Sequence, residues 1–466
     1  MSLGLRISYV VTAEADARER QLAGRLVLLM LAGLMLLGIL FEIASQIRHR
    51  EARLLADSAG HFAWGYAWIN EGRLDPGPTL KCWDLELDPH FPEREVNGRL
   101  VVPDKYPVGW SLAVLPFMAV AKLATMIVGW SVEDARTFHI LLMAGRLGAL
   151  CWACLGLFCG YRALSMLQPP LTAAVSIFFV WIGTSAFAYT WCYPTYSHAV
   201  AMGFICISYF AALQCVRGPR AKRWALTCGL AMGMVICCRV LDVVLVLPAA
   251  VLLCMRLGEG GGERGRLMRS LHWRPVREVL PAALLAAVGL IGPVLLQMAV
   301  WKTVYGLWLY RSYEGEGFVI NVGNQIRLLF SSRHGLFFFH PILLFAVGGL
   351  ILGMVRAGRH RATATFLAMV AGSLLAIALL YGAWHWWSLG WTAGARWAAD
   401  PLFLWAIGLS IFIERFLRSR PRAVLITMAA CAFCSLALLG CYLTKLIPPD
   451  DYITVKIPGI GSVELP

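Results

Sequence analysis

Nine apolar runs, each close to the twenty residues needed to cross a bilayer, constrain this chain more than any other feature. They cover roughly 24–46, 139–161, 170–190, 197–216, 279–303, 336–355, 362–383, 398–416 and 423–444. A further stretch, 224–256, is too long for one helix and is interrupted by Arg239 and Asp242. It reads as two short spans meeting at that polar tip, which brings the expected total to about eleven. Hydrophobic residues make up 59% of the chain and charged residues 15%, against about a quarter in soluble domains. A soluble fold cannot hide that much apolar surface, so the expected class is an all-α polytopic membrane protein.

The formal charge of +14 would suggest nucleic acid as a partner of a soluble protein. Here the Arg residues sit in short clusters between apolar runs, where they act as topology signals and contacts for lipid headgroups. Nucleic-acid binding is therefore excluded as a function class. Most of the fourteen Cys lie inside apolar runs, where Cys behaves as a small apolar residue. Cys151-Trp-Ala-Cys154 matches C-x-x-C but falls within a span and has no companion pair, so no metal site and no cofactor are expected. No cleavable signal peptide is expected either, because the first apolar run starts after roughly twenty polar residues and is long enough to span.

The segment 108–129 is apolar enough to cross, but parity argues against it. If it stays on one side, an N-in chain of eleven spans places the clusters Arg217/Arg220/Lys222/Arg223, Arg256 through Arg277, Arg356/Arg359/Arg361 and Arg415/Arg418/Arg420/Arg422 in the cytoplasm, as the positive-inside rule requires. The segment is therefore read as a re-entrant or interfacial helix. The expected organisation is one membrane domain. It comprises a cytoplasmic segment 1–23, an extracytoplasmic loop 47–138 with juxtamembrane helices, the remaining spans within 139–444 and an extracytoplasmic tail 445–466. Four stretches then share the outer face: 47–138, 191–198, 304–335 and 384–397.

Those stretches carry the chemistry-bearing residues, and each has an ordinary reading beside the functional one. Asp57, in Asp57-Ser-Ala-Gly-His61, lies about ten residues beyond the first span. It is either a general base held at the membrane surface or a solvated helix cap. In Asp104-Lys105-Tyr106-Pro107-Val-Gly109, the chain breaks where an apolar helix begins. Lys105 and Tyr106 there suit a phosphate beside free backbone N–H groups, or are an ordinary interfacial pair. His198, in Tyr193-Pro-Thr-Tyr-Ser-His198, either meets an anion or proton at a span mouth or caps the helix.

Ser331-Ser-Arg333-His334-Gly335 is a plausible phosphate clamp, with a snorkelling Arg as its alternative. The five Trp of 384–397, among them Trp384, Trp387 and Trp391, exceed what an aromatic belt needs and suit stacking on sugar rings. Arg396 closes that segment. Arg239 and Asp242, expensive within apolar sequence, either line the outer cavity or pair structurally.

Taken in order, these motifs resemble the GT-C class of membrane glycosyltransferases. Asp57 through Asp75 resembles the D-E-x-x-Y…G-D-[LW] stretch of lipid A aminoarabinose transferases and protein O-mannosyltransferases, and Asp104-Lys105-Tyr106-Pro107 lines up with the E-K-P of the former. Thr195-Tyr-Ser-His198-Ala, Ser331-Ser-Arg-His-Gly-Leu-Phe and Trp387-x-x-Gly-x-x-x-Gly-Ala-Arg396-Trp resemble a bacterial branch of the same class. Two positions depart from the pattern: Ser58 replaces the second acidic residue and His61 an aromatic.

The resemblance implies a GT-C-like fold and transfer of a sugar from a polyprenyl-phosphate donor to an acceptor hydroxyl on a lipid, glycan or protein. It implies that Asp57 acts on the acceptor and that Lys105 contacts the lipid phosphate, with Arg239, Arg333 or Arg396 assisting. No obligatory metal is expected. The resemblance also implies a place in the bacterial inner membrane, with membrane lipids as partners. The rival classes are a lipid-linked sugar flippase or transporter, a polysaccharide ligase or polymerase, and a non-enzymatic assembly subunit.

Overall fold

The computed structural model describes residues 2–48, 56–83, 93–96, 98–216, 221–257, 270–311, 313, 316–358, 360–389, 394–417, 419–444, 446, 454–457 and 461–464. Seventeen α-helices succeed one another among them: α1 Ser2–Arg48, α2 Ala56–Tyr66, α3 Gly77–Cys82, α4 Gly109–Val128, α5 Ala135–Leu167, α6 Pro170–Ile182, α7 Ser185–Trp191, α8 His198–Cys215, α9 Ala221–Cys238, α10 Val243–Leu253, α11 Val276–Tyr305, α12 Val322–Phe330, α13 Leu336–Phe339, α14 Ile342–Ala357, α15 Arg361–Ala383, α16 Leu402–Leu417 and α17 Pro421–Leu443. Three small antiparallel hairpins are the only sheets among the described residues.

The chain is a polytopic, almost wholly helical membrane protein. Among the described residues eight helices are long and apolar enough to cross a bilayer, and α6 with α7 passes the same test as a bent pair, which makes nine where that pair is one span. The shorter apolar helices α10, α14 and α16 account for the rest of the expected spans. Helix α4, expected to lie re-entrant or interfacial, meets the same length and hydropathy criterion as the crossing helices. Helices α2, α3 and α4 occupy the long interval between α1 and α5.

Close helix approach at small residues holds the bundle together, since lipid offers no hydrophobic drive between spans. At the crossing of α5 and α8, a Cβ on Gly156 would collide with the backbone of Gly203, and one on Gly203 with the carbonyl of Trp152. Two broken helices then shape one end of the bundle. Helices α6 and α7 bend by 77° at Gly183-Thr184, where the Thr184 hydroxyl caps the new helix by accepting from the N–H of Ala186. Between α9 and α10 the helix stops at Arg239 and resumes after a short 3₁₀ turn, Val240–Asp242. Interrupted backbone is tolerated at membrane depth only where protein or a cavity satisfies it. The first break lies beside the segment bearing Arg396, where Ser185 donates to the carbonyl of Ala395, and the second lies against Gly109.

The glycine contacts predict unequal costs of adding one methyl group. Gly156→Ala is expected to destabilise by about 1–3 kcal/mol through overpacking. Gly292→Ala, where a Cβ meets nothing within 4 Å, is expected to be neutral or stabilising. Thermal unfolding of the purified protein in detergent checks this, and equal shifts for both variants would contradict the packing.

Candidate active site

The segment 104–111 ties the site end of the bundle together. The Asp104 N–H donates to the Tyr305 hydroxyl at 3.0 Å and the Val108 N–H to Oε1 of Gln297 at 2.8 Å, fixing the segment to α11. Trp110 Nε1 donates to the carbonyl of Pro194 at 2.9 Å, and Ser111 links α4 to α2 through the Gly65 N–H and the His61 carbonyl. Only glycine fits at two of these junctions. A Cβ on Gly109 would strike the Cys237–Cys238 backbone, and one on Gly60 would strike the Tyr106 ring and the Asp104 carboxyl. These approaches bring the start of α4 against the residue pair preceding Arg239, and the first turns of α2 against Tyr106.

Asp57, in the first turn of α2, is the centre of what results. Arg396 Nη1 donates to its Oδ2 at 2.8 Å and the Tyr106 hydroxyl to its Oδ1 at 2.5 Å. Burial alone would raise the carboxyl's pKa. The Arg396 charge, the Tyr106 hydroxyl, His61 and Lys105 outweigh that and hold it well below the usual carboxylate range. Asp57 is thus an anion at any working pH. The His61 ring, 4.8 Å from that of Tyr106, is pushed down to about 3 by burial and by the nearby Arg239 and Arg396 charges, against the pull of Asp57. It is therefore neutral.

A second group lies beside this pair. Arg239, released by the break after α9, sits 3.2 Å from Oδ2 of Asp400 and 3.7 Å from Asp242. It donates to Ser197 Oγ at 3.2 Å and to the Tyr381 hydroxyl at 2.5 Å. Asp400 also holds Nδ1 of His198 at 2.9 Å. The side chains of Asp57, Lys105, Arg239 and Arg396 keep 13–19% of their surface exposed, whereas those of His198 and Asp400 have none. The first four form an accessible polar floor, with the His198–Asp400 pair buried underneath. His198, read from the sequence as an anion or proton contact or as a helix cap, is buried here and shares the Asp400 carboxylate with Arg239.

The third group surrounds Lys105, whose Nζ lies 2.8 Å from Oε1 of Glu316 and over the rings of Tyr106 and Tyr313, at 5.6 and 5.5 Å. Trp384 packs edge-on against Tyr313 and Phe318, so it anchors the chain that carries Glu316. Trp387 packs partly buried on the core, and Trp391 lies outside the described residues. Arg333 and His334 occupy the turn between α12 and α13. The His334 ring stacks 6.4 Å from Phe339, whose ring packs against Gly394 in the segment bearing Arg396.

Reasoning from sequence missed Asp400 and Glu316, the partners of Arg239 and Lys105. Asp400 was detectable as a carboxylate at the mouth of an apolar run, the same signal that marks Asp57. Among the described residues no three His, Cys, Asp or Glu side chains form a metal-binding group. An apolar groove of about 380 Å³, lined by Leu112, Pro116, Trp152, Phe204, Met234 and Pro293, begins one turn from Gly109.

Asp104 supplies a test of this geometry through pH. It is fully buried, its Oδ1 accepting from the N–H of Tyr106 at 2.8 Å. Burial raises it to about 8, although that N–H and Lys105 oppose the rise. The folded protein then keeps a proton that the unfolded chain releases near pH 4, so this group's share of stability falls as pH rises from about 4 to about 8. Asp104→Asn is expected to remove that slope. Unfolding midpoints at pH 6.5 and 8.5 should fall for the wild type and change less for the variant. Equal slopes would place Asp104 in a different environment.

No family model and no curated protein matches the sequence. Among solved structures, the chain is similar to ArnT from Cupriavidus metallidurans in the apo state, with 12% identity and a TM-score of 0.43 over 81% of this chain and 59% of that one. It is similar to the Archaeoglobus fulgidus oligosaccharyltransferase in the apo form, with 11% identity and a TM-score of 0.46 over 91% and 55%. It also aligns with AglB from Archaeoglobus fulgidus in complex with an inhibitory peptide and a dolichol-phosphate, with 12% identity and a TM-score of 0.44 over 90% and 55%. The chain spans little more than half the length of each. At this level of overlap the likeness carries no argument, and what the site can do rests on its own geometry.

Proposed function

We propose that this chain is a glycosyltransferase of the GT-C type. It moves a sugar from a polyprenyl-phosphate donor to the hydroxyl of a lipid, glycan or protein on the extracytoplasmic face of the membrane. The observation that carries the reading is one partly exposed polar floor in which the Asp57 carboxylate is paired with Arg396 and lies near Lys105, with Arg239 beside Arg396. Glycosyl transfer from a phosphate needs both signs of charge at one place. It needs a proton acceptor for the incoming hydroxyl and positive charge where the phosphate departs.

In this reading the acceptor hydroxyl takes the place of the Tyr106 hydroxyl at Oδ1 of Asp57. The bond between the anomeric carbon and the phosphate oxygen breaks, and the phosphate keeps the electron pair. The acceptor oxygen bonds to the anomeric carbon, and its proton passes to Asp57. Lys105 and Arg239 meet the charge that gathers on the phosphate, while Arg396 keeps Asp57 ionised and aimed. The donor's isoprenoid tail lies in the apolar groove beside α4, which accounts for a transferase so deeply embedded. No obligatory metal enters the proposal.

The test is transfer of label from a panel of polyprenyl-phosphate sugars by the purified protein in lipid. Asp57→Asn is expected to lower turnover by about 10²–10⁴-fold and Arg396→Lys by less, since a cation persists. Near wild-type turnover in Asp57→Asn would remove that residue as proton acceptor. Movement of the lipid-sugar across the bilayer without transfer would select the flippase class instead.

A further inference from the structure

From the pairing of Lys105 with Glu316, we infer that Glu316 is a built-in competing anion. It pairs with Lys105, and a phosphate headgroup must displace it, so it sets the affinity and selectivity of the floor for phosphate. The inference rests on the proposed reading of Lys105 as a phosphate contact and names a residue that controls it.

Both partners are held from outside the pair. Lys105 sits between the buried Asp104, bonded to Tyr305 through its N–H, and Tyr106, which is fixed on Asp57. Glu316 is positioned by a short strap of backbone bonds to the end of α15. His385 N–H donates to the Gly317 carbonyl at 2.9 Å and Val319 N–H to the Ala383 carbonyl at 2.5 Å, with Phe318 bridged to Trp384. The Glu316 N–H closes a turn onto the Tyr313 carbonyl at 3.3 Å, and the Tyr313 ring covers Lys105.

The carboxylate therefore does not reach Lys105 as a wandering surface group. It is delivered there by a segment 211 residues distant in sequence. Its side chain is 26% exposed against 13% for Lys105, so the anion lies on the solvent side of the cation, where an incoming ligand arrives. A phosphate that takes Lys105 must break the 2.8 Å contact and tolerate the displaced carboxylate as a neighbouring like charge. The fixed cost of breaking the Lys105–Glu316 contact weighs most on singly charged anions, a carboxylate and the donor's phosphodiester alike, and least on the doubly charged lipid monophosphate formed as the sugar departs.

The experiment measures binding to the intact protein in detergent by intrinsic tryptophan fluorescence, with farnesyl phosphate, inorganic phosphate and dodecanoate as probes. Glu316→Gln and Glu316→Ala are expected to tighten farnesyl phosphate about tenfold, and dodecanoate by a larger factor because selectivity is lost. Glu316→Gln in a Lys105→Ala background is expected to change nothing. An equal gain for inorganic phosphate would identify the headgroup alone as the recognised chemistry, and a gain confined to farnesyl phosphate would identify the lipid form. Weaker binding in both Glu316 variants would assign the residue a structural role. A gain that persists without Lys105 would assign a general field effect, and either result overturns the inference. If Lys105→Ala leaves wild-type binding of farnesyl phosphate unchanged, the reading of Lys105 as a phosphate contact fails, and the inference about Glu316 falls with it.

Discussion

The pair formed by Asp57 and Arg396 is the constraint around which the rest of this structure is arranged. A carboxylate and a guanidinium largely withdrawn from water each carry a desolvation penalty, and only mutual contact with further hydrogen bonds offsets it. Removing one partner of such a pair typically costs about 3–5 kcal/mol, because the other is left buried and unpaired. Here the partners are 339 positions apart, so the contact ties together distant parts of the chain. The start of α2 must lie against the segment leading into α16. Tyr106 must complete the shell of Asp57, and α7 must support the Arg396 segment, which it does through Ser185 Oγ donating to the Ala395 carbonyl at 3.0 Å.

The two broken spans follow from the same requirement. A continuous helix through 170–190 would carry Ser185 past the Arg396 segment, and one through 224–256 would bury Arg239 among spans without partners. The bend at Gly183-Thr184 and the turn at Val240–Asp242 place both polar groups at the end of the bundle where charges can meet. A helix break has a cost in unsatisfied backbone, and the caps of Thr184 and the turn bonds at Asp242 offset it. Tight crossings at glycine, such as that of α5 with α8, keep the surrounding helices from relaxing around the breaks.

Hydropathy made the spans legible, because burial in lipid writes a run of about twenty apolar residues without need of periodicity. It also hid the bend between α6 and α7, whose residues stay apolar through it; only the Gly183-Thr184-Ser185 triplet signals a stop and a new cap. In the site, Asp57, Lys105, Tyr106, Arg239 and Arg396 were visible as polar residues at the edges of apolar runs. The long-range pairings with Glu316 and Asp400 were not. Nothing local to Glu316 or Asp400 points to a cation 211 or 161 positions away, since ion pairing across a fold depends on topology and not on spacing. The Trp-rich segment invited a stacking role throughout, and Trp384 makes T-shaped contacts with Tyr313 and Phe318 that brace the chain beside Glu316. Aromatic density in a sequence does not separate a ligand platform from a brace.

The acidity of Asp57 bears on what kind of transfer the floor is suited to. A carboxylate held so far down by Arg396 and Tyr106 is a weak base, and it would gain little by removing a proton from a neutral hydroxyl before reaction. When the bond to phosphate breaks ahead of bond formation, the demand changes. The acceptor oxygen becomes strongly acidic only as it joins the electron-poor anomeric carbon, and a weak base then suffices. In the same moment the fixed anion stabilises the positive charge on the sugar, a gain that a neutral base would not supply. Under the proposed function, then, the tight hold of Arg396 is compatible with proton acceptance late in the reaction. It favours a mechanism in which the cations around the phosphate, more than the basicity of Asp57, carry the early part of the barrier.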